Sequence, residues 1–155
     1  MLLLANLLLI LGPFAAQGNL LVPISKCLAN HPEVVFTASQ SPPFLRLHFR
    51  RAGEPDFVVA VLVRRTHSTH ALVCGQDGTG VLLGAAGEQP FSDMADDNYM
   101  SDEWSVCTRK HLRKMRKFYT DVPDPENEGV LLTWEDGQAL IYWDGKQFRW
   151  KSLKP

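Results

Sequence analysis

The sequence predicts a single α+β domain built on one antiparallel meander sheet of about seven strands, with an N-terminal helix and one inserted basic helix packed on one face. Two observations carry this prediction. Short β-rich runs follow one another at spacings too short for parallel crossovers. Two Asp-Gly pairs, Asp136-Gly137 and Asp144-Gly145, separate the last three runs, and Asp-Gly is typical of hairpin turns. A chain of 155 residues, 45% of them apolar, fits one globular domain.

The first 18 residues have the layout of a secretory signal peptide. An apolar run, Leu2–Ile10, is followed by the breaker Gly12-Pro13 and by a small-x-small exit ending at Gly18, which predicts cleavage there and a mature domain over 19–155. We therefore expect a secreted or periplasmic protein. The run is shorter than the roughly 20 residues of a membrane span, so no stable membrane insertion is expected after cleavage. No Lys or Arg precedes the run, and retention as an anchor or a buried N-terminal helix are the alternatives.

The remaining elements follow from apolar periodicity. Asn19–Asn30 has near-helical spacing, and Thr108–Tyr119 is predicted as a helix with Thr108 as its N-cap. Phe57–Arg65 is continuous, apolar and β-branched, which predicts a central strand buried on both faces. The segment 85–105 is too polar for a core element. The runs predicted as strands are 44–49, 57–65, 71–74, 81–84, 130–134, 139–143 and 147–153.

Aromatic side chains crowd the last three predicted strands, and alternation divides them between two faces. One face is expected to lie on the core; it holds Leu132, Trp134, Leu140, Tyr142, Phe148 and Trp150. The opposite face is expected to be exposed; it holds Thr133, Ile141, Trp143 and Arg149. Exposed aromatics suit a protein or glycan partner, so Trp143 is a candidate partner contact. A sheet buried on both faces is the alternative.

Two phrases resemble those of exported bacterial proteins. The phrase "GEPDFVVAVLV" (Gly53–Val63) is similar to an FG-GAP-like turn and strand, Asp-x-Asp-Gly-Asp-x-x-Pro-Asp-Tyr-Ala-Val. The phrase "YWDGKQF" resembles the C-terminal hairpins of small secreted bacterial proteins of unknown function. The resemblance implies an exported domain with no assigned chemistry. It does not imply calcium, because Arg50 and Arg51 stand where acids would supply ligands and only Glu54 and Asp56 remain.

The stretch Ser92–Lys117 is divided by charge: five acids come first and six Lys or Arg residues follow. Asp93, Asp96 and Asp97 offer oxygen ligands for calcium, but their spacing does not match an EF-hand, and a polar loop is the favoured interpretation. The basic half is a helix whose exposed bases, Arg113 and Lys117 among them, are candidate contacts for a protein or envelope partner. The favoured interpretation is a solvated helix neutralised by the acidic loop. The net charge of −1 and the location of the aromatics in predicted strands disfavour nucleic acid.

Three cysteines leave the redox assignment open. One pair among Cys27, Cys74 and Cys107 is compatible with an oxidising compartment, but small buried hydrophobes are the favoured interpretation for at least two of them. No Cys-x-x-Cys occurs. His67, His70 and Cys74 suggest a zinc site, but a fourth ligand is not visible.

Cys107 and His111, four residues apart at a helix start, are the only nucleophile and base pair that the pattern suggests. No motif calls for a cofactor. The leading hypothesis is therefore an exported, non-enzymatic binding domain that contacts its partner through the C-terminal aromatic sheet or the 93–117 loop and helix. The alternative is a small secreted cysteine-dependent hydrolase that uses Cys107 and His111.

Overall fold

A computed structural model describes residues 21–84 and 101–154. The predicted signal peptide and the candidate calcium ligands Asp93, Asp96 and Asp97 lie outside these residues. The described chain is α+β, with two helices and nine strands that form two antiparallel sheets. The α+β class and the antiparallel pairing are therefore confirmed.

The first sheet is built around β3 (Asp56–Val63), which is buried on both faces as its β-branched run predicts. On one edge of β3 lie β1 (Val34–Phe36) and β2 (Phe44–Leu47), which pair with successive parts of the strand. On the other edge lies β4 (Thr69–Cys74), followed by β5 (Gly80–Leu82). Short hairpin connections join β3, β4 and β5.

The second sheet is a meander of four strands. Its order is β6 (Glu103–Cys107), β7 (Gly129–Trp134), β8 (Gly137–Trp143) and β9 (Phe148–Leu153). The β7–β8 hairpin closes at the pair Trp134↔Gly137, and the β8–β9 hairpin closes at Trp143↔Phe148. Both predicted Asp-Gly turns therefore join neighbouring strands.

Three buried clusters set the order of the layers. The two sheets pack on each other through a cluster that includes Phe49, Val58, Val73, Leu132 and Phe148. The helix α1 (Val22–Ala29) packs on the outer face of the first sheet through Ile24 and Cys27. The helix α2 (Arg109–Met115) covers the outer face of the second sheet through Leu112 and Met115. The layers are therefore α1, first sheet, second sheet and α2.

A disulfide between Cys27 and Cys74 ties α1 to β4, with the two Cα atoms 5.7 Å apart. Cys107 is the free cysteine of the described residues, and it is buried. The expectation that at least two cysteines act only as small buried hydrophobes is therefore wrong, because two of the three form this bond.

The single meander sheet is also corrected. The strands of both sheets are apolar on both faces, so each sheet must be covered on both sides. A single sheet with both helices on one face would leave its other apolar face exposed to solvent. Each sheet instead covers the other and carries one helix on its outer face. Two strands, β1 and β6, were not predicted, and β6 begins inside the segment judged too polar for a core element.

The predicted faces of the last strands are wrong for β8. The register pairs Leu132 with Ala139 and Val130 with Ile141, which places Ile141 in the cluster between the sheets. Trp143 packs against that same cluster. Leu140 and Tyr142 lie on the other side, in the cluster beneath α2. Because side chains alternate along a strand, a register error of one residue reverses every assignment on it.

Candidate functional site

The outer side of α2 is the strongest concentration of exposed positive charge that the described residues show. The helix begins after Thr108, whose hydroxyl accepts a hydrogen bond from the backbone N–H of His111 at 3.2 Å. Leu112 and Met115 face the sheet and are buried, so the intervening bases are directed outward. The exposed bases of the helix and the turn after it are Arg109, Lys110, Arg113, Lys114, Arg116 and Lys117.

The three arginines form one stripe, which we call the arginine stripe: Arg109, Arg113 and Arg116, spaced four and three residues apart. Arg116 donates to Asp124 at 2.7 Å and to the carbonyl oxygen of Pro123 at 3.1 Å. The hydrogen bond from Arg116, helped by the charges of Arg109 and Arg113, holds the pKa of the Asp124 carboxyl below its ordinary value. The arginine stripe is therefore partly neutralised within the chain.

The three lysines form a second stripe, the lysine stripe: Lys110, Lys114 and Lys117. All three are exposed, and within the described residues no acidic side chain lies at ion-pair distance from any of them. The loop acids Asp102 and Glu103, which are described, are exposed and do not pair with α2. The expected neutralisation of the helix by the acidic loop is therefore not formed by these two residues.

Phe118 follows the lysine stripe directly. It is 74% exposed and is the most exposed large hydrophobic side chain of the described residues. Its backbone N–H donates to the carbonyl oxygen of Met115 at 2.9 Å, so Phe118 lies in a hydrogen-bonded turn directly after α2. The site thus combines three ammonium groups, which have no acidic partner among residues 21–84 and 101–154, with one apolar ring at its end. Sequence reasoning did not single out Phe118. The inward positions of the predicted helix are Leu112, Met115 and Tyr119, so Phe118, one position before Tyr119, could have been predicted to point outward.

Cys107 and His111 do not form a reactive pair. Cys107 ends β6, is fully buried, and its Sγ lies 3.9 Å from the Sδ of Met115. Burial raises the pKa of the Cys107 thiol to about 11. His111 is exposed on α2. The thiol therefore points into the cluster beneath the helix, where it is a poor nucleophile.

Trp143 is only partly buried, and its ring packs edge-on against Phe148, with the ring centroids 4.9 Å apart. It borders the cluster between the two sheets. The expectation that Trp143 stands on an exposed face is therefore wrong, because β8 has the opposite register. Arg113 and Lys117, the other two candidate contacts, both lie on the exposed side of α2.

Two of the three suspected zinc residues are engaged elsewhere, and the third, His67, is exposed. Cys74 is bonded to Cys27. His70 is buried and hydrogen bonded to the Ser68 hydroxyl at 2.8 Å and to the carbonyl oxygen of Leu83 at 3.1 Å. Across residues 21–84 and 101–154, no three His, Cys, Asp or Glu side chains converge in an arrangement that could hold a metal ion.

A polar cavity of about 440 Å³ opens between the β2–β3 loop and the β4–β5 loop. Its charged groups are engaged with one another: Arg50 binds Asp56, and Arg51 lies 3.6 Å from Glu54. Asp77 accepts from the Thr79 hydroxyl at 2.7 Å. Because Asp56 is occupied by Arg50, this cavity does not point to a particular ligand.

Comparison of the chain with protein-family models, with curated proteins and with solved structures found no match. The assignment of function therefore depends on the geometry of the chain itself. Neither described helix is long and apolar enough to cross a membrane.

Proposed function

We propose that the protein is an exported, non-enzymatic binding domain that contacts a negatively charged partner through the outer side of α2. The observation that carries the proposal is the lysine stripe, three exposed ammonium groups without an acidic partner in the described part of the chain. A cluster of like charges without counter-charges attracts an oppositely charged surface and speeds its association. The candidate contacts Arg113 and Lys117 belong to the same surface.

Two features support export. The N-terminal segment has the order of a signal peptide, with an apolar run, a breaker and a small-residue exit. The Cys27–Cys74 disulfide is a bond that persists in oxidising compartments and is rare in reducing ones. The resemblance of the Gly53–Val63 phrase to exported bacterial proteins agrees with this proposal. N-terminal sequencing of the protein from an envelope or secreted fraction should begin at or near Asn19, whereas a cytosolic protein starting at Met1 contradicts export.

The alternative, a hydrolase that uses Cys107 and His111, is disfavoured by the position of the thiol. With a pKa of about 11, the Cys107 thiol is ionised to about one part in a thousand near pH 8. We expect a thiol-alkylating reagent to label native protein only at the rate at which the fold opens, and to label urea-unfolded protein at once. Rapid labelling of the native thiol would restore the hydrolase hypothesis.

The binding surface is tested with two matched double variants. Arg113→Gln with Lys117→Gln removes two charges from α2 and the turn after it, and Arg46→Gln with Arg65→Gln removes two exposed charges from β2 and the β3–β4 loop of the first sheet. Each immobilised protein is exposed to envelope extract and eluted with a salt gradient. We expect a component that elutes from wild type at moderate salt to be lost from the α2 variant and kept by the first-sheet variant. Equal retention by all three proteins contradicts the proposed surface.

A further inference from the structure

We propose that the partner of the α2 surface is an anionic phospholipid membrane, which the protein binds peripherally. The lysine stripe lies among the headgroups, and Phe118 enters the boundary between the headgroups and the acyl chains. This inference rests on the proposed function, because it names the class of partner for the same surface. The residues that carry it are Lys110, Lys114, Lys117 and Phe118.

The first step is the charge. Basic residues near an anionic leaflet each strengthen binding, and lysines on one side of a helix reach the same plane of headgroups. The lysine stripe has no acidic partner in the described residues, so binding to phosphate headgroups breaks no ion pair there. The acids between the helix and β7 are Asp121, Asp124, Glu126 and Glu128; Asp124 is bound to Arg116, and Glu128 lies 3.5 Å from His48 Nδ1. Asp124 therefore offsets charge on the arginine stripe, and the lysine stripe is the side of α2 that faces the lipid.

The second step is the apolar ring. Isolated exposed hydrophobic residues are common on protein surfaces, so the exposure of Phe118 alone means little. Its position is informative, because it follows Lys117 directly, in the turn after α2, and it is the one exposed large apolar side chain that the described residues place beside the bases of the helix. Phosphate headgroups and acyl chains lie within a few ångströms of each other in a bilayer, so a lysine and an adjacent phenylalanine contact both at once.

The third step is the fixed frame beneath the surface. Leu112 and Met115 are buried in the cluster with Cys107, so α2 cannot roll to offer a different side. The turn after the helix is held by the bridge between Thr120 and Lys154. The lysine stripe and Phe118 are therefore presented together before any lipid is bound, and little ordering of the backbone opposes binding.

A bilayer fits these residues better than a nucleic acid or another soluble polyanion. Single-stranded nucleic acids are bound on platforms of several aromatic side chains, and α2 offers one ring. A polyanion without an apolar phase gains nothing from Phe118. The contribution of Phe118 therefore separates the two kinds of partner in an experiment.

The experiment measures co-sedimentation of the mature chain, residues 19–155, with vesicles of phosphatidylcholine mixed with phosphatidylglycerol, and with vesicles of phosphatidylcholine alone. Soluble long-chain polyphosphate is the second probe. The lysine variant carries Lys110→Gln, Lys114→Gln and Lys117→Gln, and the ring variant carries Phe118→Ser. The control variant carries Lys26→Gln, Arg46→Gln and Arg65→Gln, which removes the same charge from exposed positions on the first sheet and its helix. Melting curves confirm that each variant is folded.

We expect wild type and control to bind the phosphatidylglycerol vesicles in a salt-sensitive manner and to bind phosphatidylcholine much more weakly. The lysine variant should bind about a hundredfold more weakly, since each lysine contributes about a factor of five near an anionic surface. The ring variant should bind the vesicles about tenfold more weakly and bind polyphosphate as wild type does. Equal vesicle binding by wild type and the lysine variant, or by wild type and the ring variant, overturns the inference.

Two further outcomes separate the inference from the proposed function. If wild type ignores the vesicles but retains a salt-eluted envelope component that depends on Arg113 and Lys117, the membrane is overturned as the partner while the proposed function stands. If neither vesicles nor envelope extract give binding that depends on α2, both are overturned.

Discussion

Asp144 holds the β8–β9 turn through three side-chain hydrogen bonds. Its Oδ1 accepts from the backbone N–H groups of Lys146 and Gln147, each at 2.9 Å, and its Oδ2 accepts from Arg149 Nε at 2.6 Å. The hydrogen bond from Arg149, followed by those from the two backbone groups, lowers the pKa of Asp144 from 3.8 to about 2. The same turn has Gly145 at a φ of 96°, a conformation that favours glycine.

The lowered pKa of Asp144 predicts a pH-dependent contribution to stability. A carboxyl whose folded pKa is depressed stabilises the fold above its unfolded pKa and loses that effect as pH falls through the folded pKa. The stabilisation from Asp144 should therefore be complete above about pH 4 and lost towards about pH 2. Asp144→Asn keeps an oxygen acceptor for the turn but lacks the charge. In urea unfolding, Asp144→Asn should be less stable than wild type at neutral pH, and the difference should shrink through that window. A difference that does not vary with pH would contradict this assignment.

Gly80 of β5 lies against Cys27 of α1 and against His31, which follows the helix. A Cβ atom at this position would lie 2.5 Å from His31 Nε2 and 2.8 Å from Cys27 Sγ. His31 is itself held by Glu33, whose Oε1 lies 2.7 Å from His31 Nδ1. The side chains near Gly80 are therefore fixed by a disulfide on one side and by a hydrogen bond on the other.

Gly80→Ala should destabilise the protein by about 1–3 kcal/mol, because the added methyl group forces buried neighbours to move. Gly53→Ala is the matched control, since nothing lies within 4 Å of a Cβ built there. Chemical unfolding at neutral pH measures both. If Gly80→Ala and Gly53→Ala unfold alike, α1 is not packed as closely as described.

At the scale of the elements, sequence patterns located seven of the nine described strands and missed β1 and β6. The Phe57–Arg65 run and the three C-terminal runs were predicted because β-branched and aromatic residues lie between turn residues. The strand β1 has three residues, and β6 alternates exposed Glu103 and Ser105 with buried Trp104 and half-buried Val106. The alternation of polar and apolar residues could have predicted β6. It was overlooked because the acids before it made the whole segment look too polar for a strand.

The face of β8 could not be read from its sequence. The run "ALIYW" (Ala139–Trp143) is apolar at every position, so alternation does not distinguish its two sides. The pair Trp134↔Gly137 at the hairpin sets the register instead. A loop one residue longer would exchange the two sides of the strand.

Trp143 therefore contributes to packing at the edge of the inter-sheet cluster. We expect Trp143→Ala to lower the free energy of unfolding by about 2–3 kcal/mol, somewhat less than the loss for a fully buried aromatic, because the side chain is partly exposed. Trp143→Phe keeps a ring against Phe148 and should cost less. Denaturant unfolding compares the two variants. A Trp143→Ala protein as stable as wild type would return Trp143 to the outer surface.

At the scale of the whole molecule, the disulfide closes a loop between residues 47 positions apart in the chain. Cross-linking a loop of this length removes entropy from the unfolded chain worth about 4 kcal/mol. Cys27→Ser with Cys74→Ser, or reduction of the wild type, should lower stability by up to that amount. A reducing agent should leave the double variant unchanged, which controls for effects on Cys107. A double variant as stable as oxidised wild type would show that α1 docks without the bond.

The division into two sheets could not be predicted from the sequence, whereas part of the candidate site could. Which strands share a sheet depends on pairings between distant segments, and local patterns do not encode them. The basic character of α2 was evident in its sequence. Arg116 binds Asp124, whereas the lysines have no acidic partner among the described residues. This difference depends on the path of the 121–128 loop past the helix.

The order of the layers gives the molecule two distant ends. The chain enters α1 at Val22, whereas α2 lies on the outer face of the opposite sheet. Packed sheets are about 10 Å apart, and each helix adds a layer of similar thickness, so the outer sides of α1 and α2 are separated by on the order of 30 Å. The two helices therefore lie on opposite sides of the domain. A tether attached at α1, such as a biotin on Lys26, leaves the α2 side facing away from the support.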